Sequence, residues 1–504
     1  MGVVSLTGLQ FFDGKMLLKQ YAAVDTIVFR SMNEATTENS TQSTLSSSLV
    51  TLMSSISSAL PGNMFENSTA SVAPEISPTF HNSSTATADL GEQLQPKLEY
   101  PDYKARFPIP DSLEEFLTSQ PPATHDKLLK DPSEKFIVLT CHKFASNKIE
   151  ACGGVADRLK NIAYWVWLAQ KSGRRLLIKY SKPFPLEKFL VLPDGSQFDW
   201  RLPDGYFDNE LEAYANRTFD QYREMRRYDW HTKVEQSPWN STRVIFVNNN
   251  LAMPPMVRKM QSLFHESYDQ HIIPGIFRRL FHTSPGVQAV VDQTAKEHGL
   301  VAGKYASAHL RLKYPFKPPK RLVLAAKNAD KNGGGLAMDD NRTAWNVHLL
   351  SDNAINCAMQ AMPEARQVYF ASDSNEAAQY LLHESAWSRA HKGNVTTLNV
   401  TNIQNDIPKV VARLDIEEEP VHFDSGLKRE PSAFYATFVD LWIMAHSKCI
   451  SHGAGGFGQF VSRLTGNFDS CRVETRSRKG DIHYCAEYLN QFGLNLPERR
   501  VIPH

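Results

Sequence analysis

Four groups of residues have the types and spacing to do chemistry. The first is Gly153-Gly154 followed by Asp157, Arg158 and Asn161. Paired glycines let a ligand approach the backbone, a helix start offers free N–H groups to an anion, and Arg158 adds charge. The structural alternative is a tight turn with Asp157 and Arg158 as a surface pair. The second group is His309-x-Arg311. Side chains alternate along a strand, so both residues point to one face, beside a stretch rich in Lys313, Lys317, Lys320 and Arg321. Such a guanidinium could grip a diphosphate bidentately. The third is Ser372-Asp373-Ser374-Asn375, an ordinary N-cap sequence whose carboxylate could also accept hydrogen bonds from ribose hydroxyls or a base edge. The fourth runs Ser451-His452-Gly453-Ala454-Gly455-Gly456-Phe457-Gly458. It matches G-x-G-x-x-G, and Glu474 follows at the end of CRVET, as in a dinucleotide site. Only the 46 residues 459–504 remain, too few for the rest of such a domain. A turn that cradles a phosphate or sugar fits better.

An alternating strand–helix rhythm must position these groups, and it predicts a parallel α/β sheet. Residues 136–141 (FIVLTC) read as a buried strand leading to the first glycine loop, and 155–172 as one helix. Further strands are expected at 174–180 and 244–248, with helical patterns over 254–280 and 285–298. A second cycle starts at Tyr305. Its strands are 305–312, 367–372, 395–399 and 449–452; its helices are 345–362, 375–390, 432–448 and 459–464. All four groups then fall at the carboxyl ends of strands, where open α/β sheets bind ligands.

The chain has 504 residues with 55 basic and 54 acidic side chains, a balance that argues against a dedicated nucleic-acid binder. Residues 34–97 are Ser/Thr-rich and too poor in apolar periodicity to fold, and a connector with Pro101, Pro108, Pro110, Pro121 and Pro122 follows. The expected organisation is a disordered stalk and linker over 1–130, a first α/β domain over 131–300 and a second over 301–504. Six cysteines exclude a disulfide-dense scaffold, but Cys141 with Cys152 and Cys471 with Cys485 could bridge in an oxidising compartment. There is no C-x-x-C, H-E-x-x-H or D-x-D, so a metal site has no sequence support.

Sequons at Asn39, Asn67, Asn82, Asn216, Asn240, Asn341, Asn394 and Asn399 exceed chance and point to the ER or Golgi lumen. Against that, no membrane anchor is visible, since no apolar run reaches about 18 residues. Asp13, Lys15, Lys19 and Asp25 interrupt the start of the chain where a signal peptide would be apolar. A cytoplasmic location stays open.

Taken together, the motifs resemble the fucosyltransferase superfamily that includes protein O-fucosyltransferases and α-1,6-fucosyltransferases. Gly153 to Arg158, then Gly173-Arg174-Arg175-Leu176-Leu177-Ile178, is similar to its first motif, and His309-Leu310-Arg311 to its H-x-R motif. Tyr369 to Ser374 resembles its strand-end motif, and Asp440-Leu441 through Ile450-Ser451 with the glycine turn its last. The resemblance covers roughly residues 136–470. It implies two facing Rossmann-like domains in a GT-B-like arrangement and a metal-independent, cofactor-free glycosyltransferase. GDP-fucose would be the donor substrate, and a glycan or protein the acceptor. Arg311 would hold the diphosphate and neutralise the leaving group, and His309 would shape the pocket. Asp373, with Ser374, would contact the guanosine. Ser451, Gly453, Gly455 and Gly456 would offer N–H groups to phosphate, and Gly153, Gly154 and Arg158 would close the cleft from the facing domain. The chain departs from the family pattern in Leu312, Lys313 and Tyr314 after Arg311, and in His452 and glycines where hydroxyl residues are usual. Asp157, Glu150 and His309 stay open as the catalytic base. The alternatives are a catalytically silent nucleotide- or carbohydrate-binding protein of the same fold, and a dinucleotide-dependent oxidoreductase.

Overall fold

A computed structural model describes residues 98–100, 102–141, 152–215, 230–248, 254–312, 344–391, 407–413, 423, 429–453, 455–468, 470–475 and 482–492. The Ser/Thr-rich segment, Glu150, the basic stretch around Lys313, Lys317, Lys320 and Arg321, Ala454, and the strand expected at 395–399 lie outside these residues. So do all the sequons except Asn240.

Order begins earlier than Asp131, which corrects the expected linker. Short helices α1 (Tyr103–Arg106), α2 (Asp111–Phe116) and α3 (Pro122–Lys130) occupy its last part. The prolines that suggested a connector are compatible with this, because Pro122 sits at the start of α3, where its missing N–H has no partner to lose. Leu98, Phe107, Leu113 and Leu129 are all buried.

Next come β1 (Phe136–Cys141), α4 (Val155–Leu159), α5 (Ile162–Lys171), β2 (Arg175–Tyr180), β3 (Leu190–Val191) and β4 (Val244–Asn248). The helix expected over 155–172 is broken, because Asn161 leaves helical geometry at φ −103°, ψ 5°. Strands β1, β2 and β4 form a parallel sheet in the order β2-β1-β4. Helices α6 (Pro254–Phe264) and α7 (Ile273–Leu280), joined by a π-turn at Tyr268–Ile272, lead to β5 (His282–Thr283) and α8 (Pro285–His298). Strand β5 pairs antiparallel with β3, a pair too short to leave a periodic signal.

The second cycle runs β6 (Ala306–Leu310), α9 (Ala344–Ala361), β7 (Gln367–Ser372), α10 (Asn375–Gln379), α11 (Ala386–His391), β8 (Lys409–Ala412), α12 (Tyr435–Ala445), β9 (Cys449–His452), α13 (Gly456–Leu464) and β10 (Arg472–Glu474). Its parallel sheet has the order β10-β9-β6-β7-β8. Strand alternation divides its faces. Tyr369, Ala371, Val411 and Ile450 join the core that also holds the first sheet, whereas Val368, Phe370, Val410 and Cys449 face a separate core with Ile355, Met359 and Trp387.

Residues 92–504 form one compact unit. The expected division near residue 300 therefore runs through continuous packing, in which Leu300 and Tyr305 share a cluster with β1 and α12. Helix α12 is apolar nearly all round (YATFVDLWIMA), as a helix in a middle layer must be. Cys141 bonds Cys152, but Cys471 pairs with Cys449 and Cys485 with Cys357, correcting the Cys471–Cys485 bridge. The β9–β10 pairing, which sets Ile450 opposite Arg472, brings the Cys449 and Cys471 neighbourhoods together; sequence spacing carries no such information.

Candidate functional site

Parallel register builds the site. His309 of β6 lies opposite His452 of β9, and Leu310 opposite Ser372 of β7. Arg311 and Asp373 therefore leave their strands side by side. Two hydrogen bonds lock these ends: Leu312 N–H donates to Asp373 Oδ1 (2.6 Å), and Gly453 N–H to His309 O (3.0 Å).

Above these ends is a cleft of about 150 Å³. The second half of the chain contributes His309, Arg311, Ser372, Asp373, Thr437, Asp440, Gly456, Phe457 and the Phe423 ring. The first contributes Gly154, Val155, Ala156 and Asp157. The walls touch: a Cβ on Gly456 would stand 3.5 Å from Asp157 Oδ1.

Two glycines of the fourth group, Gly455 and Gly458, have a reason to lack a side chain. Gly455, the N-cap of α13, has φ 128°, ψ 160°, a conformation essentially confined to glycine, and it lies against the Arg311 guanidinium. A Cβ on Gly458 would meet His452 Cβ at 2.5 Å. Gly453 already spends its N–H on His309 O, so it has none to give a phosphate.

The imidazole of His309 is nine-tenths buried, its ring centroid 5.0 Å from that of Phe457. Its Nδ1 has no hydrogen-bond partner among the described residues. Burial, with His452 and Arg311 adding like charge, depresses its pKa to about 3, so it works as a neutral ring. That is too low for a useful general base near neutrality.

Three expected site residues turn away from the cleft. Arg158 is buried, donating from Nε to Gly153 O (3.1 Å) and from Nη1 to Lys182 O. Its guanidinium stands 4.4 Å from the centre of the Phe423 ring, and so behind the wall that ring forms. Ser451 is fully buried and donates to Ala354 O of α9 (2.6 Å). Ser374 is buried at the start of α10, its backbone N–H bonded to Ser372 Oγ (3.2 Å). Gly153, at φ 68°, shapes the first turn but does not line the cleft.

Asp440, which opens the last motif but has no expected role of its own, lines the cleft. Its Oδ1 accepts the Tyr369 hydroxyl (2.7 Å). Burial raises its pKa, against the pull of Arg413 and of that hydroxyl. The signal was a single carboxylate within an otherwise apolar helix. Glu474, by contrast, sits on the edge strand and does not line the cleft, so the acidic residue of a dinucleotide reading is missing from it.

No family model and no curated protein matches the chain. Among solved structures it is similar to a mutant of Arabidopsis thaliana FUT1 in complex with GDP, at 12% identity and a TM-score of 0.41, over 76% of this chain and 83% of that one. At that level the likeness names neither substrate nor activity.

Among the described residues, no group of His, Cys, Asp and Glu is placed to hold a metal ion, and no helix is long and apolar enough to cross a membrane. The cleft itself combines one arginine, the amino end of α13 and three carboxylates, Asp157, Asp373 and Asp440. Such a set suits an anionic group at one end of a ligand and hydroxyl or N–H donors along the rest.

Proposed function

We propose that the chain is a metal-independent glycosyltransferase that uses a nucleoside-diphosphate sugar, GDP-fucose in its most specific form, to modify a glycan or protein. One observation carries the reading: Arg311 and the first turn of α13 adjoin at the carboxyl ends of parallel strands, facing a wall from the other half of the chain. A guanidinium beside free helix N–H groups is a diphosphate site, and it stabilises the charge that develops on a departing nucleoside diphosphate. The orphaned Nδ1 of His309 opens a further polar contact in the same pocket. The motif resemblance supports the choice of GDP-fucose.

In this reading an acceptor hydroxyl attacks the anomeric carbon. The carbon–oxygen bond to the diphosphate breaks, GDP leaves with the electron pair, and the hydroxyl proton passes to a carboxylate. Asp157 on the facing wall is the proposed base. Ser451, Gly453 and Arg158 hold the walls and do not contact the donor.

Calorimetric titration with GDP, GDP-fucose, GDP-mannose, UDP-sugars and NAD tests the donor, with and without EDTA. Binding of GDP and GDP-fucose that is lost in Arg311→Ala supports the reading. Binding of NAD but not GDP sinks it. In Asp157→Asn, GDP binding should persist while transfer stops. GDP binding by the native chain without transfer to any glycan or peptide acceptor would favour the silent alternative.

A further inference from the structure

The Asn240-Ser241-Thr242 sequon has no part in the cleft. Its turn lies between the helix Trp230–Lys233 and β4, at the amino end of the first sheet. Three inward contacts build it. Lys135, just before β1, donates from Nζ to Asn240 O (2.7 Å). The buried Arg174, just before β2, donates to Trp239 O (2.5 Å) and to Thr242 O (2.8 Å). The Trp239 and Thr242 carbonyls thus face the buried Arg174, while the Asn240 side chain is exposed and its amide makes no hydrogen bond among the described residues. The cleft is at the opposite, carboxyl end of these strands. The six residues of β1 put roughly 20 Å between the two ends, so a bulky group on Asn240 would not obstruct it.

A second, independent observation bears on the compartment in which that sequon would be modified. All six cysteines are paired and none is free. Five of the six are almost wholly buried. A chain with every thiol paired, five of the six in its core, needs an oxidising place to fold, as the secretory lumen provides and the cytosol does not.

We propose that this chain folds in the secretory lumen and carries an N-linked oligosaccharide on Asn240. The donor would be an oligosaccharide linked to a polyisoprenyl diphosphate. The Asn240 amide nitrogen forms the bond to the anomeric carbon and gives up one proton, and the polyisoprenyl diphosphate leaves with the electron pair. In the folded protein the Thr242 hydroxyl donates to Pro238 O (2.9 Å), so transfer occurs on the emerging chain, before the turn closes. None of this depends on the nucleotide reading of the cleft.

Peptide mapping of the full chain expressed in eukaryotic cells, with and without peptide N-glycosidase, tests it. The Asn240 peptide should appear only after the enzyme, with its asparagine converted to aspartate. Free-thiol alkylation without reductant should label none of the cysteines. The gel shift assigned to this site should vanish in Asn240→Gln and Thr242→Ala and persist in Ser241→Ala, since the middle position of the sequon accepts any residue but proline. An Asn240 peptide recovered unmodified from the native chain overturns the site. Cysteines that alkylate without reductant overturn the lumen.

Discussion

Gly455 is packed against the Arg311 guanidinium: a Cβ on it would stand 3.1 Å from Nη1 and 3.5 Å from Cδ. The glycine turn thus sets where the positive charge of the cleft sits. Gly455→Ala should displace the arginine and strain a backbone held at φ 128°. GDP affinity should fall about tenfold, or about 1.4 kcal/mol. Arg311→Ala removes the charge-assisted bonds themselves, worth roughly 1.5–3 kcal/mol. Calorimetry of both singles and the double should give less than the sum, since each perturbs the same contact.

Arg158 separates a structural role from a ligand role. Arg158→Ala leaves the Gly153 and Lys182 carbonyls without their buried donor and removes the cation beneath Phe423. The unfolding free energy should drop by about 2–3 kcal/mol, with a smaller loss of GDP affinity than in Arg311→Ala. Lysine should not rescue it, because one ammonium cannot reproduce a flat fork beneath a ring. Lost GDP binding at an unchanged melting temperature would mean that Arg158 contacts the donor after all.

The segment before Asp131 should prove part of the folded body. Phe107 is wedged so that a Cβ on Gly466 would come within 2.3 Å of its Cε1, and one on Gly275 within 2.7 Å of its carbonyl. Beside it, the buried Arg278 of α7 caps the ends of α13 and α12 through Leu464 O (3.1 Å) and Ala445 O (2.9 Å). Phe107→Ala should cost roughly 3–5 kcal/mol in chemical denaturation. Gly466→Ala, at φ 74°, should also destabilise. Truncation to residue 131 should yield an unfolded or aggregated chain.

Acid should destabilise the fold through its buried histidines. Burial and nearby cations hold His309 and His446 down to about 3, from the ordinary 6.5 of histidine. Between these values the unfolded chain binds protons that the folded one refuses, so the stability is full above pH 6.5 and lost as pH falls toward 3. Asp352 opposes part of this. Burial raises its carboxyl from 3.8 to about 6, so within that window the folded state is the one that holds its proton. The melting temperature should therefore fall gently from about pH 6 to 4 and steeply below. His446→Asn should flatten the steep limb.

Much of the site could be read along the chain. His309 and Arg311, Asp373 and the glycine turn are local patterns at strand ends, and parallel pairing carried them to one cleft. The direction of a side chain was less legible. Ser451 and His452 are sequence neighbours, yet Ser451 is spent on Ala354 O of α9, while His452 pairs in register with His309 of β6. Arg158 follows a glycine pair just as a phosphate-binding arginine would, but the carbonyls of Gly153 and Lys182 claimed it first.

Local chemistry by itself determined the strand–helix rhythm, the strand ends as the place of the candidate residues and the residue types gathered there, because periodicity and glycine placement act over a few residues. Tertiary structure alone decided the cysteine partners, the ordering of residues 98–130, the inward turn of Arg158 and the presence of Asp440 in the cleft. These depend on which elements become neighbours across hundreds of residues. A buried cation or carbonyl then takes whichever partner that packing brings within reach.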